Sequence, residues 1–167
     1  MVLPALRAVH KPSNDNDMGL LKLPTILLTF ADARNDLPSL EKESSALHDV
    51  LLPLQQNGLA NIEREESATL EEVFKRIVDY KNDMIIFHYA GHADRDELFM
   101  EKNKVAARNI AALLGQAPYL QMVFLNGCQT SDQAKLFLNK GVKVVIATYD
   151  PISDKLAAEF AKGFYYA

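Results

Sequence analysis

The chain has 167 residues, 49% of them apolar and 24% charged, which suits one domain with a core of its own. Its net charge of −4 and its scattered Lys and Arg give no support for direct nucleic-acid or acidic-membrane binding. A single cysteine excludes an internal disulfide, no apolar stretch approaches the roughly twenty residues that span a bilayer, and Val2 to Leu6 is too short for a signal-peptide core, so a reducing, cytoplasmic setting is expected.

Residues 1–23 hold a polar patch, Lys11 to Asp17, without apolar periodicity, and read as a leader or linker before a domain over 24–167. Pro24 to Phe30 is β-branched and apolar, a first core strand ending in the loop Ala31 to Asp36. Ser39 then precedes Leu40, Leu47, Val50, Leu51 and Leu54 at helical spacing, with Glu41 and Glu43 in the first turn and Asn57-Gly58 as the stop. Leu59 to Glu65 alternates weakly and suits a short edge strand. Thr69 and Glu72 form a capping box for a helix reaching about Tyr80, with Leu70, Val73, Phe74 and Ile77 on its buried face.

Met84 to Ala90 is an apolar run that breaks at Gly91 into His92, and Leu120 to Asn126 is a second, breaking at Gly127 into Cys128. Runs this apolar, joined through a helical segment over Ala106 to Leu114, read as central parallel strands buried on both faces. Glu97 to Glu101 is a small extra strand between them. After Cys128, Ser131 or Asp132 caps a helix through Lys140, and Val142 to Thr148 is another strand. Ser153 or Asp154 opens a last helix with Leu156, Ala157, Phe160 and Phe164 on its apolar stripe. Neighbouring parallel strands end at one edge of the sheet, so His92 and Cys128 are expected at the same lip, where open α/β sheets place their chemistry.

A thiol attacks as its thiolate, which a nearby imidazole and a following helix N-terminus both favour. The backbone N–H groups of Cys128 and Ala93 could then receive the oxygen of an attacked carbonyl. Taken alone, a lone cysteine at a strand end is most often an inert buried residue. His88 reads as a core histidine rather than a ligand, because no further Cys/His cluster is present, and no phosphate-binding loop occurs. Neither metal nor nucleotide cofactor is expected. Tyr165 and Tyr166 read as packing residues.

Phe87-His88-Tyr89-Ala90-Gly91-His92-Ala93 resembles the strand and Gly-His motif of caspase-like peptidases, and Val123 to Thr130 resembles their strand and Cys motif. The third segment, Val145 to Thr148 with Pro151 and Leu156 to Tyr165, is similar to the bacterial CHAT branch of that clan. The spacing of thirty-six residues between His92 and Cys128 (128 minus 92) is shorter than the roughly fifty of caspases and favours the same branch. The resemblance implies a caspase-like three-layer α/β sandwich with a mostly parallel sheet, and a cysteine endopeptidase with Cys128 as nucleophile and His92 as general base. It implies oxyanion donors at the N–H groups of Ala93 and Cys128, a protein or peptide substrate, and further sensor or ATPase domains in the same protein, often within bacterial defence or cell death. A non-catalytic interaction module on the same fold is the alternative. Two residues depart from the family pattern, which has glycine at the position of Ala93 and more often a small non-glycine residue at Gly127. The clan carries a further strand after the last helix, so the domain is expected to be C-terminally truncated. By the same resemblance Asn126, two before the cysteine, lines the substrate pocket and favours a neutral side chain, unless Asp94, Asp96 or Asp150 makes that pocket suit a basic one.

Overall fold

The computed structural model describes residues 22–167, so the leader expected over 1–23 lies almost wholly outside the described part. Five parallel strands form the central sheet in the order β2-β1-β3-β6-β7: β1 (Thr25–Ala31), β2 (Asn61–Glu65), β3 (Met84–Gly91), β6 (Met122–Asn126) and β7 (Val144–Ala147). Every residue of β1 is buried, because helices cover both faces of the sheet and leave no side for water. β2 is the edge strand that its weak alternation suggested.

On one face lie α1 (Leu40–Gln56) and α5 (Asp154–Tyr166), enclosing Ile26, Leu28, Phe30, Leu47, Leu51, Phe124 and Ala161. On the other lie α2 (Leu70–Tyr80), α3 (Ala107–Leu114) and α4 (Ser131–Leu138), packed on Leu27, Val73, Ile77, Phe87, Tyr89, Ile110, Leu125 and Phe137. This is the three-layer α/β sandwich with a parallel sheet that the sequence led us to expect.

The Thr69 and Glu72 capping box is present on both sides, and the Glu72 carboxylate is held below its ordinary range by the Thr69 hydroxyl and N–H. Ser153 caps α5 by accepting from Leu156 N. Other expectations are corrected. The helix after Cys128 has Thr130 as its N-cap, not Ser131 or Asp132, and Thr130 makes no capping bond. The extra strand β4 (Glu97–Phe99) has a partner, β5 (Lys104–Ala106), in an antiparallel hairpin apart from the main sheet. The apolar stripe of α5 is also displaced. Leu156 and Phe160 remain 55% and 48% exposed, whereas Ala161 is fully buried and Ala157 and Tyr165 share its side, at a spacing of four residues. Small side chains let α5 lie close to α1, while the rings of Phe160 and Phe164 reach Phe124 from the flank, with centroids 5.9 and 5.4 Å away.

Beneath that helix layer sits a buried polar group. One carboxyl oxygen of Glu43 on α1 accepts from Asn126 Nδ2 at 2.7 Å and lies 3.2 Å from His88 Nε2, and His88 Nδ1 lies 3.3 Å from the Tyr165 hydroxyl. Asn126 also donates to the Ala157 carbonyl at 3.1 Å. With Nε2 of His88 protonated, every donor in this set has an acceptor: Tyr165 donates to His88, and His88 and Asn126 donate to Glu43. The set ties β3, β6, α1 and α5 together. Glu43→Ala is therefore expected to lower unfolding free energy by about 3 kcal/mol, because it strands buried donors. Denaturant unfolding measures this, and a loss under about 1 kcal/mol would contradict the assignment.

Candidate active site

All five strands run the same way, so their C-terminal ends share one lip. Asp32 follows β1, His92 follows β3, Gly127 and Cys128 follow β6, and Thr148 follows β7. The registers Ala31↔Gly91 and Ala90↔Asn126 carry this alignment up to the turns themselves. The turns then touch. A Cβ built on Gly127 would lie 2.8 Å from the Gly91 carbonyl oxygen and 2.9 Å from Ala93 Cβ, and one on Gly91 would lie 2.5 Å from the Ala31 carbonyl oxygen. Neither position has room for a side chain, so the two glycines set how closely the His92 and Cys128 turns approach.

His92 is 16% exposed, and its Nε2 is hydrogen-bonded to Asp36 Oδ1, with Asp32 Oδ1 4.0 Å away. Asp32 in turn accepts from Asp36 N at 3.0 Å and Leu37 N at 3.1 Å, which folds the loop after β1 back over the imidazole. Cys128 is partly exposed, and its Sγ faces the Ile152 carbonyl at 3.9 Å. The thiol and the imidazole thus sit at the same lip without a hydrogen bond between them. With Asp36 holding Nε2, Nδ1 is the ring nitrogen left to take a proton.

Neither carboxylate was picked out as a site residue from the sequence. The signal available was position alone, since Asp32 is the first residue past the first core strand, as His92 and Cys128 closely follow theirs. One donor atom from each of Asp32, Asp36 and His92 lies within 4.8 Å of the others, so these three are also the group that could share a cation. Such an ion would occupy the nitrogen that Asp36 holds.

The expected pocket residues either have partners of their own or stand exposed. Asn126 is 4% exposed, with its amide turned inward to Glu43 and Ala157, so it does not line an open pocket; as an even-numbered neighbour of Phe124 it faces the α1 and α5 layer. Asp94 is engaged in its own turn, accepting from Asp96 N and Glu97 N at 3.0 and 2.8 Å, and Lys104 stands 3.9 Å from it. Asp96 and Asp150 are exposed. Gln133 on α4, fully buried, donates to the Asp94 carbonyl at 2.6 Å and so fastens the 93–98 turn to the helix that follows Cys128.

The family model described as CHAT domain matches residues 3–167. The chain belongs to the CHAT domain family. No curated protein matches it. Among solved structures it is similar to "structure of pro-sf-caspase-1", at 16% identity and TM-score 0.43, covering 66% of this chain and 53% of that one. It is also similar to Chaetomium thermophilum Raptor, at 13% identity and TM-score 0.46, covering 80% of this chain and 14% of that one. This CHAT domain thus spans about half the length of the first and a small part of the second.

Residues 93 and 127 meet in space. The Gly91 carbonyl and the methyl of Ala93 together fill the volume that a side chain at residue 127 would need. Gly127→Ala is expected to cost about 1–3 kcal/mol. Adding Ala93→Gly should recover only part of that, since the Gly91 carbonyl still stands in the way. Urea unfolding of the single and double variants tests this, and full recovery would place the clash on Ala93 alone.

Proposed function

We propose that this CHAT domain is a cysteine endopeptidase acting on a protein or peptide substrate. The observation that carries the reading is the contact of the Gly91 and Gly127 turns, which brings a histidine already held by a carboxylate to the same lip as the chain's one cysteine. His92 takes the Cys128 thiol proton, and the thiolate attacks the substrate carbonyl carbon. The N–H groups of Ala93 and Cys128 receive the oxyanion. His92 returns the proton to the leaving amine, which departs as the C–N bond breaks and leaves a thioester on Cys128. A water molecule, deprotonated by His92, then hydrolyses that thioester and frees the thiol. Asp36 and Asp32 fix the ring and stabilise the imidazolium formed in between.

The domain is further proposed to be a cytoplasmic effector in a larger bacterial defence or cell-death protein, beside sensor or ATPase modules. Among the described residues no helix is long and apolar enough to cross a membrane. One observation favours a second reading, a non-catalytic interaction module: Cys128 Sγ faces the Ile152 carbonyl rather than His92. In the enzyme reading the Cys128 side chain turns from the Ile152 carbonyl toward His92.

Peptide-library cleavage by the activated full-length protein separates the two. Cys128→Ala should abolish turnover with the thermal midpoint nearly unchanged, and His92→Ala should lower it by about two to four orders of magnitude. Asp36→Ala should lower it at least about tenfold, as expected for loss of ring orientation. Turnover near wild type in Cys128→Ala would move the nucleophile elsewhere. Activity should also persist in EDTA, while added zinc should inhibit wild type more than Asp36→Ala. Inhibition by EDTA that a metal reverses would instead make the Asp32, Asp36 and His92 group a required metal site.

A further inference from the structure

The two N–H groups assigned to the oxyanion belong to peptides whose carbonyls are both held by side-chain hydroxyls. A trans peptide points its C=O and its N–H in opposite directions, so fixing one aims the other. The His92 carbonyl, in the peptide that carries Ala93 N–H, accepts from the Tyr89 hydroxyl at 2.6 Å and from Phe99 N at 3.0 Å. The Gly127 carbonyl, in the peptide that carries Cys128 N–H, accepts from the Thr148 hydroxyl. Among the described residues neither Ala93 N–H nor Cys128 N–H has a hydrogen-bond partner.

Both hydroxyls are themselves pinned. Tyr89, on β3, is fully buried, and its oxygen also lies 2.7 Å from the Phe99 carbonyl and accepts from Phe99 N at 3.1 Å. Burial pushes the phenol's pKa up, so it stays a donor at any working pH. A Cβ on Gly91 would lie 2.8 Å from that oxygen, so the glycine that precedes His92 is what clears the hydroxyl's path to the His92 carbonyl. Thr148 donates its own N–H to Thr130 Oγ1 at 3.0 Å, and Thr130 is fully buried at the start of α4.

We infer that Tyr89 and Thr148 are positioning residues that build the oxyanion hole from beneath, each turning a carbonyl inward so that the adjoining N–H faces the lip. This rests on the reading of Cys128 and His92 as an acyl-transfer pair. Neither hydroxyl touches substrate. Their removal should leave the thiolate intact and weaken only the step in which a carbonyl oxygen gains charge.

Two reactions of the full chain separate these properties. Alkylation of Cys128 by iodoacetamide needs the thiolate alone, whereas acylation by p-nitrophenyl acetate also develops an oxyanion, read from the burst of p-nitrophenol. The comparison uses wild type, Tyr89→Phe and Thr148→Val, both close in shape to the native residue, with His92→Ala as control. Each is read as the ratio of acylation to alkylation rate in one sample that circular dichroism shows to be folded. The expected result is alkylation within twofold of wild type and acylation at least tenfold slower in each hydroxyl variant. Acylation within threefold of wild type, or both reactions falling together, would overturn the assignment. A wild type whose alkylation does not depend on His92 would overturn the acyl-transfer reading itself, and this inference with it.

Discussion

The structure depends on two places where a side chain is absent. At the lip of the sheet the turns after β1, β3 and β6 stack so tightly that the Ala31 carbonyl abuts Gly91 and the Gly91 carbonyl abuts Gly127. Carbonyl oxygens in line at such distances admit no Cβ, and the shape of the site follows from that contact. The His92 turn is held to the sheet by the Tyr89 hydroxyl, and the Cys128 turn packs against Gly91 and Ala93. Reactive side chains on exposed turns would ordinarily sample many arrangements; here the backbone beneath them is wedged in place.

A second constraint lies one layer down. Asn126 stands two residues before the cysteine, yet its side chain belongs to the Glu43 and His88 set under α1 and α5. The Asp154 carboxylate, at the start of α5, accepts from Ser39 N at 2.7 Å, and Tyr165 reaches His88 near its other end. The last helix is thus fastened at both ends to the elements that carry the site, and the segment leading into it supplies the carbonyl that faces Cys128.

Much of the fold was legible because periodicity and turn chemistry act locally. The buried parallel strands showed as apolar runs without alternation, Thr69 and Glu72 as a complete capping box, and Gly91 and Gly127 as breaks at strand ends. What was not legible depended on which face of an element met which neighbour. Ala157 lies on the expected stripe, but Leu156 and Phe160 outrank Ala161 in hydrophobicity, and it is the small Ala161 that α5 buries, where a short side chain allows close approach to α1. β5 is only Lys104-Val105-Ala106, too short to carry a pattern, so it shows only through its pairing with β4. Asp32 and Asp36 read as ordinary loop carboxylates until the loop is seen folded over His92. By the family resemblance Asn126, two before the cysteine, reads as a pocket residue, whereas strand alternation puts it on the same side as Phe124.

The central claim is that His92 activates Cys128. It is tested most directly by the rate at which iodoacetamide alkylates Cys128 in the folded chain between pH 5 and 9, in wild type and in His92→Ala. The account predicts that wild type reacts faster at about pH 6 than a free thiol does, because a thiol of ordinary acidity is almost wholly protonated there, and that His92→Ala loses this excess. Superimposable profiles for the two proteins, both following an ordinary thiol, would contradict it.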